Sequence, residues 1–129
     1  MRRASGFLAA AVLALAACAP APERLHAPGQ VQHVVVAWLK EPGNAEHRRQ
    51  LIEASRALAS IPGVVRVSAG EPLPKRRPVE DDSYDVAVVF TFADRAALDV
   101  YQVHPEHLRA IEQVLRPLVR RIVVYDFVE

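Results

Sequence analysis

The chain has 129 residues, 51% hydrophobic and 24% charged, enough for one folded domain with a short additional segment. A formal net charge of +1 gives no strong field for nucleic acid. One cysteine, Cys18, excludes an intramolecular disulfide.

Taken in chain order, Arg2 and Arg3 precede an apolar run over residues 6–15 and then small residues, the layout of a secretory signal (residues 1–17). The run is too short for a membrane span. Its end, Leu15-Ala16-Ala17-Cys18, resembles a bacterial lipobox, in which the cut falls before the cysteine and the sulfur takes a diacylglycerol. That resemblance implies export and attachment to the cell envelope through lipidated Cys18. Ala19 rather than Asp after the cysteine implies the outer membrane, facing the periplasm. Residues 18–30, with Pro20, Pro22, Pro28 and Gly29, read as the lipidated cysteine and a flexible tether.

Residues 32–40 predict a strand rich in valine, stopped by Pro42-Gly43, with His33, Val35, Ala37 and Leu39 on one side and Val34, Val36 and Trp38 on the other. Asn44 predicts the cap of a helix over 45–60, where Leu51, Ala54, Leu58 and Ile61 recur at helical spacing until Pro62-Gly63. A second strand is predicted over 64–70. Residues 71–82, including Lys75-Arg76-Arg77, read as an exposed loop. A third strand is expected over 83–92, with Val88 on the side of Val86, Phe90 and Phe92. Asp94 then caps a helix to about Gln102, Pro105 opens another to about Arg116, Pro117 closes it, and 121–128 forms the last strand.

The order strand–helix–strand–strand–helix–strand is the split ferredoxin-like pattern, an α+β fold with a four-stranded antiparallel sheet and helices on one face. The first, third and fourth strands are nevertheless apolar on both sides, unlike a sheet with one face in water. Residues 31–129 offer no further element to cover the second face, so a second copy is expected there, a homodimer of C2 symmetry.

The segments Gln32-His33-Val34-Val35-Val36, Ile61-Pro62-Gly63-Val64, Tyr84-Asp85 leading to Phe90-Thr91-Phe92, Tyr101 with His104-Pro105-Glu106-His107, and Val124-Tyr125-Asp126-Phe127 stand in an order and spacing that resembles the stress-responsive dimeric A/B barrel (Dabb) family over 31–129. The resemblance implies a dimeric α/β barrel. Many members have no known reaction. A plant branch comprises polyketide cyclases, in which a tyrosine and a histidine matching Tyr101 and His107 are the acid/base pair. A first-strand histidine and a last-strand aspartate match His33 and Asp126. Aromatic pocket residues of the first helix fall at Leu51 and Ala54, so the cyclase substrate does not transfer.

The expected site therefore has His107 and Tyr101 as catalytic candidates and Asp126 as a carboxylate orienting His107, with His33, Val88, Leu51 and His104 contacting a ligand. At the start of a helix the dipole disfavours an imidazolium at His107, whereas a nearby Asp126 would favour it. His104 and His107 lack further metal ligands nearby, so neither metal nor cofactor is expected. Three functions stay open: a lipid-anchored dimer binding a small apolar or aromatic molecule in envelope stress, a cyclase- or lyase-like enzyme using the His–Tyr pair, and a structural dimerisation module.

Overall fold

The structure is a computed structural model and describes residues 28–129. The predicted signal, Cys18 and most of the tether lie outside the described residues. β1 (Val31–Leu39) is central because both of its apolar sides can be covered. α1 (Ala45–Ala57) starts where the Asn44 side chain accepts from the amide of His47 at 3.0 Å and closes in a 3₁₀ turn, Leu58–Ser60. The chain then reverses through Gly63, whose φ is 90° and whose added Cβ would lie 2.7 Å from the Cβ of Ala97. Only glycine meets both demands, so this turn fixes how the second helical region approaches the sheet.

β2 (Val64–Gly70), β3 (Val86–Phe92) and β4 (Val119–Val128) complete one sheet in the order β2-β3-β1-β4, with every pairing antiparallel. This is the ferredoxin-like fold expected from the sequence. β3 begins at Val86 rather than at Ser83. The Asp85 amide still donates to the Ala37 carbonyl at 2.9 Å, but its carboxylate turns to the amides of Leu39 (2.9 Å) and Gly43 (2.7 Å).

α2 (Arg95–Gln102) is capped by Asp94, which accepts from the amide of Ala97 at 2.8 Å. α3 (Pro105–Ala110) follows, then a widened π turn, Ile111–Leu115, and one last helical turn, α4 (Arg116–Leu118). Pro117 therefore lies inside the helical stretch instead of closing it. A proline has no N–H for the carbonyl four residues back, and its ring would press on that carbonyl. The wider turn, in which the Arg116 amide donates to the Ile111 carbonyl, relieves that conflict.

The helices lie over the inner face of the sheet, where Leu39, Val86, Phe92 and Leu98 are buried. On the outer face Trp38 is held by Ser83, whose Oγ accepts from Nε1 at 3.1 Å, and by the Arg121 guanidinium 4.4 Å from its ring. The rest of that face is open. Val34, Val36, Ala87, Val89 and Val123 are half-buried, and Tyr125 and Phe127 remain 60% and 51% exposed. Among the described residues no helix is long and apolar enough to cross a membrane.

Candidate functional site

Between the inner face and the helices lies a cavity of about 310 Å³. Its origin is a coincidence of small side chains: Ala37 on β1, Ala54 on α1 and Ala110 on α3 all face the same space. Where a core would place larger residues, these leave a void, and the π turn adds Ile111, Val114 and Leu115 as an aliphatic wall. Ile122 and Val124 of the edge strand β4 also line it, and at 43% and 40% exposure they mark its open side.

The polar residues reaching this space are His33, Ser55, Tyr101, Gln102 and His107. The Ser55 hydroxyl is already committed, donating to the Leu51 carbonyl at 2.8 Å. No Lys, Arg, Asp or Glu lines the cavity.

Tyr101 and His107 form a polar corner of it. α2 ends at Gln102 and α3 begins at Pro105, and this break brings the two rings to 4.3 Å between centroids at 34°. His107 Nδ1 lies 3.1 Å from the Gln102 carbonyl oxygen. A carbonyl only accepts, so Nδ1 carries the proton and the lone pair of the neutral ring is on Nε2. Burial pulls the His107 pKa down; the bond to the Gln102 carbonyl opposes this, and neighbouring His33 and His104 add to the fall. The ring is a neutral acceptor at pH 7. Burial also pushes the Tyr101 phenol well above its ordinary value, which keeps its proton in place as a donor. The site thus pairs a donor with an acceptor on a largely oily wall.

Asp126 does not orient His107, contrary to the expectation from sequence. Asp126 and His33 are direct cross-strand partners in the β1–β4 register, and His33 Nδ1 donates to Asp126 Oδ1 at 2.6 Å. The His107 pKa falls through burial and the neighbouring histidines, and no carboxylate acts on it. His104 is corrected as well. It caps α3, with Nδ1 accepting from the Glu106 amide at 3.3 Å, and it does not line the cavity. Leu51, Val88 and His33 do line it. The His33 ring sits 6.2 Å from that of Tyr101 and 5.9 Å from that of Phe90. Among the described residues no group of three or more His, Cys, Asp or Glu could hold a metal ion.

Sequence reasoning missed the Gln102 carbonyl, which carries no residue-type signal, and the π-turn wall, which depends on how Pro117 is accommodated.

Solved structures share this architecture. A ferredoxin-like Dabb family protein from Mesorhizobium loti is 28% identical, with a TM-score of 0.65, over 78% of this chain and 97% of that one. A dimeric ferredoxin-like protein of unknown function from Jannaschia is 27% identical, with a TM-score of 0.61, over 77% and 98%. The hydroxynitrile lyase of Passiflora edulis is 22% identical, with a TM-score of 0.66, over 80% and 95%, a likeness of fold alone. No curated protein gives a significant match. The stress responsive A/B barrel domain matches residues 31–129, and with the sheet order above the chain belongs to that family.

Proposed function

We propose that the protein is a lipid-anchored homodimer that binds a small, uncharged, apolar or aromatic molecule in the cavity of each protomer, in the envelope stress response. The observation that carries this reading is an apolar cavity whose one polar corner offers the Tyr101 proton and the His107 lone pair. Its volume of about 310 Å³ is roughly twice the ~150 Å³ of an apolar cavity that holds benzene, so a bicyclic aromatic fits. The absence of charged lining residues disfavours ions, because burying an unpaired charge is costly. A hydroxyl on the ligand accepts from Tyr101 and donates to His107. The anchor rests on Cys18 and its flanking residues, and the periplasmic face of the outer membrane on Ala19.

β-Naphthol, followed by its fluorescence, tests the reading. Saturable binding is expected, weakened about tenfold by His107→Phe through loss of one buried hydrogen bond. Affinity should hold level through neutral pH and fall only below the ordinary imidazole value of 6.5, because the half-buried ring resists protonation. An affinity unchanged by His107→Phe would remove the polar corner from the account.

The homodimer follows from the open outer face and from the dimeric state of a related structure. Sedimentation at micromolar concentration should find dimers, and Val36→Asp, which puts a carboxylate in the middle of that face, should weaken them by about a hundredfold or more. A wild-type monomer contradicts this part.

A second reading is favoured by the Nδ1–H tautomer of His107 beside a protonated Tyr101. A neutral, oriented imidazole is a general base, and the phenol stabilises the oxyanion of an enolised ketone or a departing alkoxide. A hydroxynitrile lyase shares the fold.

A further inference from the structure

His33 faces two ways. Its ring lines the inner cavity, while its Nδ1 donates to Asp126, which lines a separate hollow of about 320 Å³ beside the end of β4, together with Arg95 and Phe127. The His33 side chain is 11% exposed and that of Asp126 is 36% exposed. A buried imidazole on an interior strand thus lies between an oily chamber and a carboxylate on the edge strand wetted by solvent. With Nδ1 committed to Asp126, Nε2 is the nitrogen left to serve the cavity.

We propose that His33 and Asp126 are the proton outlet of the cavity, a role that rests on the acid–base reading above. A proton released inside, delivered by a ligand oxygen or a bound water, forms an N–H bond at His33 Nε2. The Nδ1–H bond breaks in concert and its proton passes across 2.6 Å to Asp126 Oδ1. Asp126 then yields it to water. Only N–H and O–H bonds change, no electrons are transferred, and no co-reactant is needed. Run in reverse, the same path returns a proton to the chamber and resets both groups. Such an exit matters because a proton trapped beside a carbanion or alkoxide recombines with it, and the cycle then makes no progress. Asp126 touches no ligand; it is a positioning and relay group acting through His33.

The test is deuterium uptake by β-tetralone, a bicyclic ketone, incubated with the purified protein in heavy water and followed by mass spectrometry. Deuterium enters the carbon beside the carbonyl only when the abstracted proton leaves before it returns. Asp126→Asn should slow uptake by about tenfold or more while the ketone still binds with wild-type affinity. Asp126→Glu should restore much of the rate, as should formate, which can enter the hollow beside β4 and replace the missing carboxylate. Thermal unfolding of each variant separates loss of the relay from loss of the fold, and formate rescue is a readout that a structural role would not give. Wild-type uptake with an unchanged rate in Asp126→Asn overturns the relay, because His107 then vents its proton directly. No uptake by the wild-type protein, or none lost in His107→Phe, overturns the acid–base reading first and the relay with it.

Discussion

Replacing Ala54 by Trp abolishes β-naphthol binding and leaves the fold intact. Ala54 lies on α1 facing the cavity, and its methyl group is one of the three small side chains that keep the space open. An indole there occupies much of about 310 Å³. Overpacking a filled core usually costs about 1–3 kcal/mol, but here the added atoms enter an existing void, so stability should change by less than about 1 kcal/mol. Affinity should fall at least about a hundredfold, or about 2.7 kcal/mol. Fluorescence titration beside urea unfolding checks both halves. Wild-type affinity in Ala54→Trp would place the ligand elsewhere.

Asp85→Ala should cause one of the largest losses of stability available to a single substitution. The Asp85 side chain is 4% exposed and joins three segments, accepting from the amides of Leu39 and Gly43 and from Arg48 Nη2 at 3.3 Å. Removing it strands the buried Leu39 amide, frees the half-buried Gly43 amide and leaves Arg48 with Glu71, itself 53% exposed, as its remaining carboxylate. Leaving a buried donor without its partner costs about 1–3 kcal/mol, and the weakened Arg48 contact adds to it, readable as a lower urea midpoint. The pH dependence has a definite sign. Burial pushes the Asp85 pKa up, but the two amides and Arg48 outweigh burial and hold it below the ordinary value of 3.8. The unfolded chain therefore takes up the proton first on acidification. The stabilisation is fully present above pH 3.8 and is lost as the pH falls toward the lower folded value. Asp85→Ala and Asp85→Asn should both lack this acid limb, since neither side chain titrates; a variant as acid-sensitive as the wild type would assign the limb to other carboxylates.

What the sequence disclosed depended on whether the controlling interaction was local. Pro62-Gly63 ahead of β2 and Asp94 ahead of α2 placed those elements correctly, since caps and chain-breakers act within a few residues. The nearness of Tyr101 to His107 was legible for the same reason, because His104-Pro105 marks the break between their helices. The start of β3 was not, because Asp85 is drawn away by amides 42 and 46 residues distant in sequence. The partner of Asp126 was misjudged because it is fixed by the register of β1 on β4, a long-range quantity. The place of the cavity was implied by the family resemblance, through Leu51, Ala54, His33 and Val88, but its size was not legible: it is the sum of Ala37, Ala54 and Ala110, each unremarkable in its own element. The doubly apolar strands were read correctly as a pattern, and the outer face does leave Tyr125 and Phe127 largely uncovered.

The most direct measurement follows the His107 ring resonances by NMR while β-naphthol is added. The account predicts a saturable shift at His107, in step with the fluorescence titration, that is absent in Ala54→Trp. A His107 signal that stays fixed while β-naphthol binds, or one that moves equally in Ala54→Trp, would contradict a ligand site between the sheet and the helices.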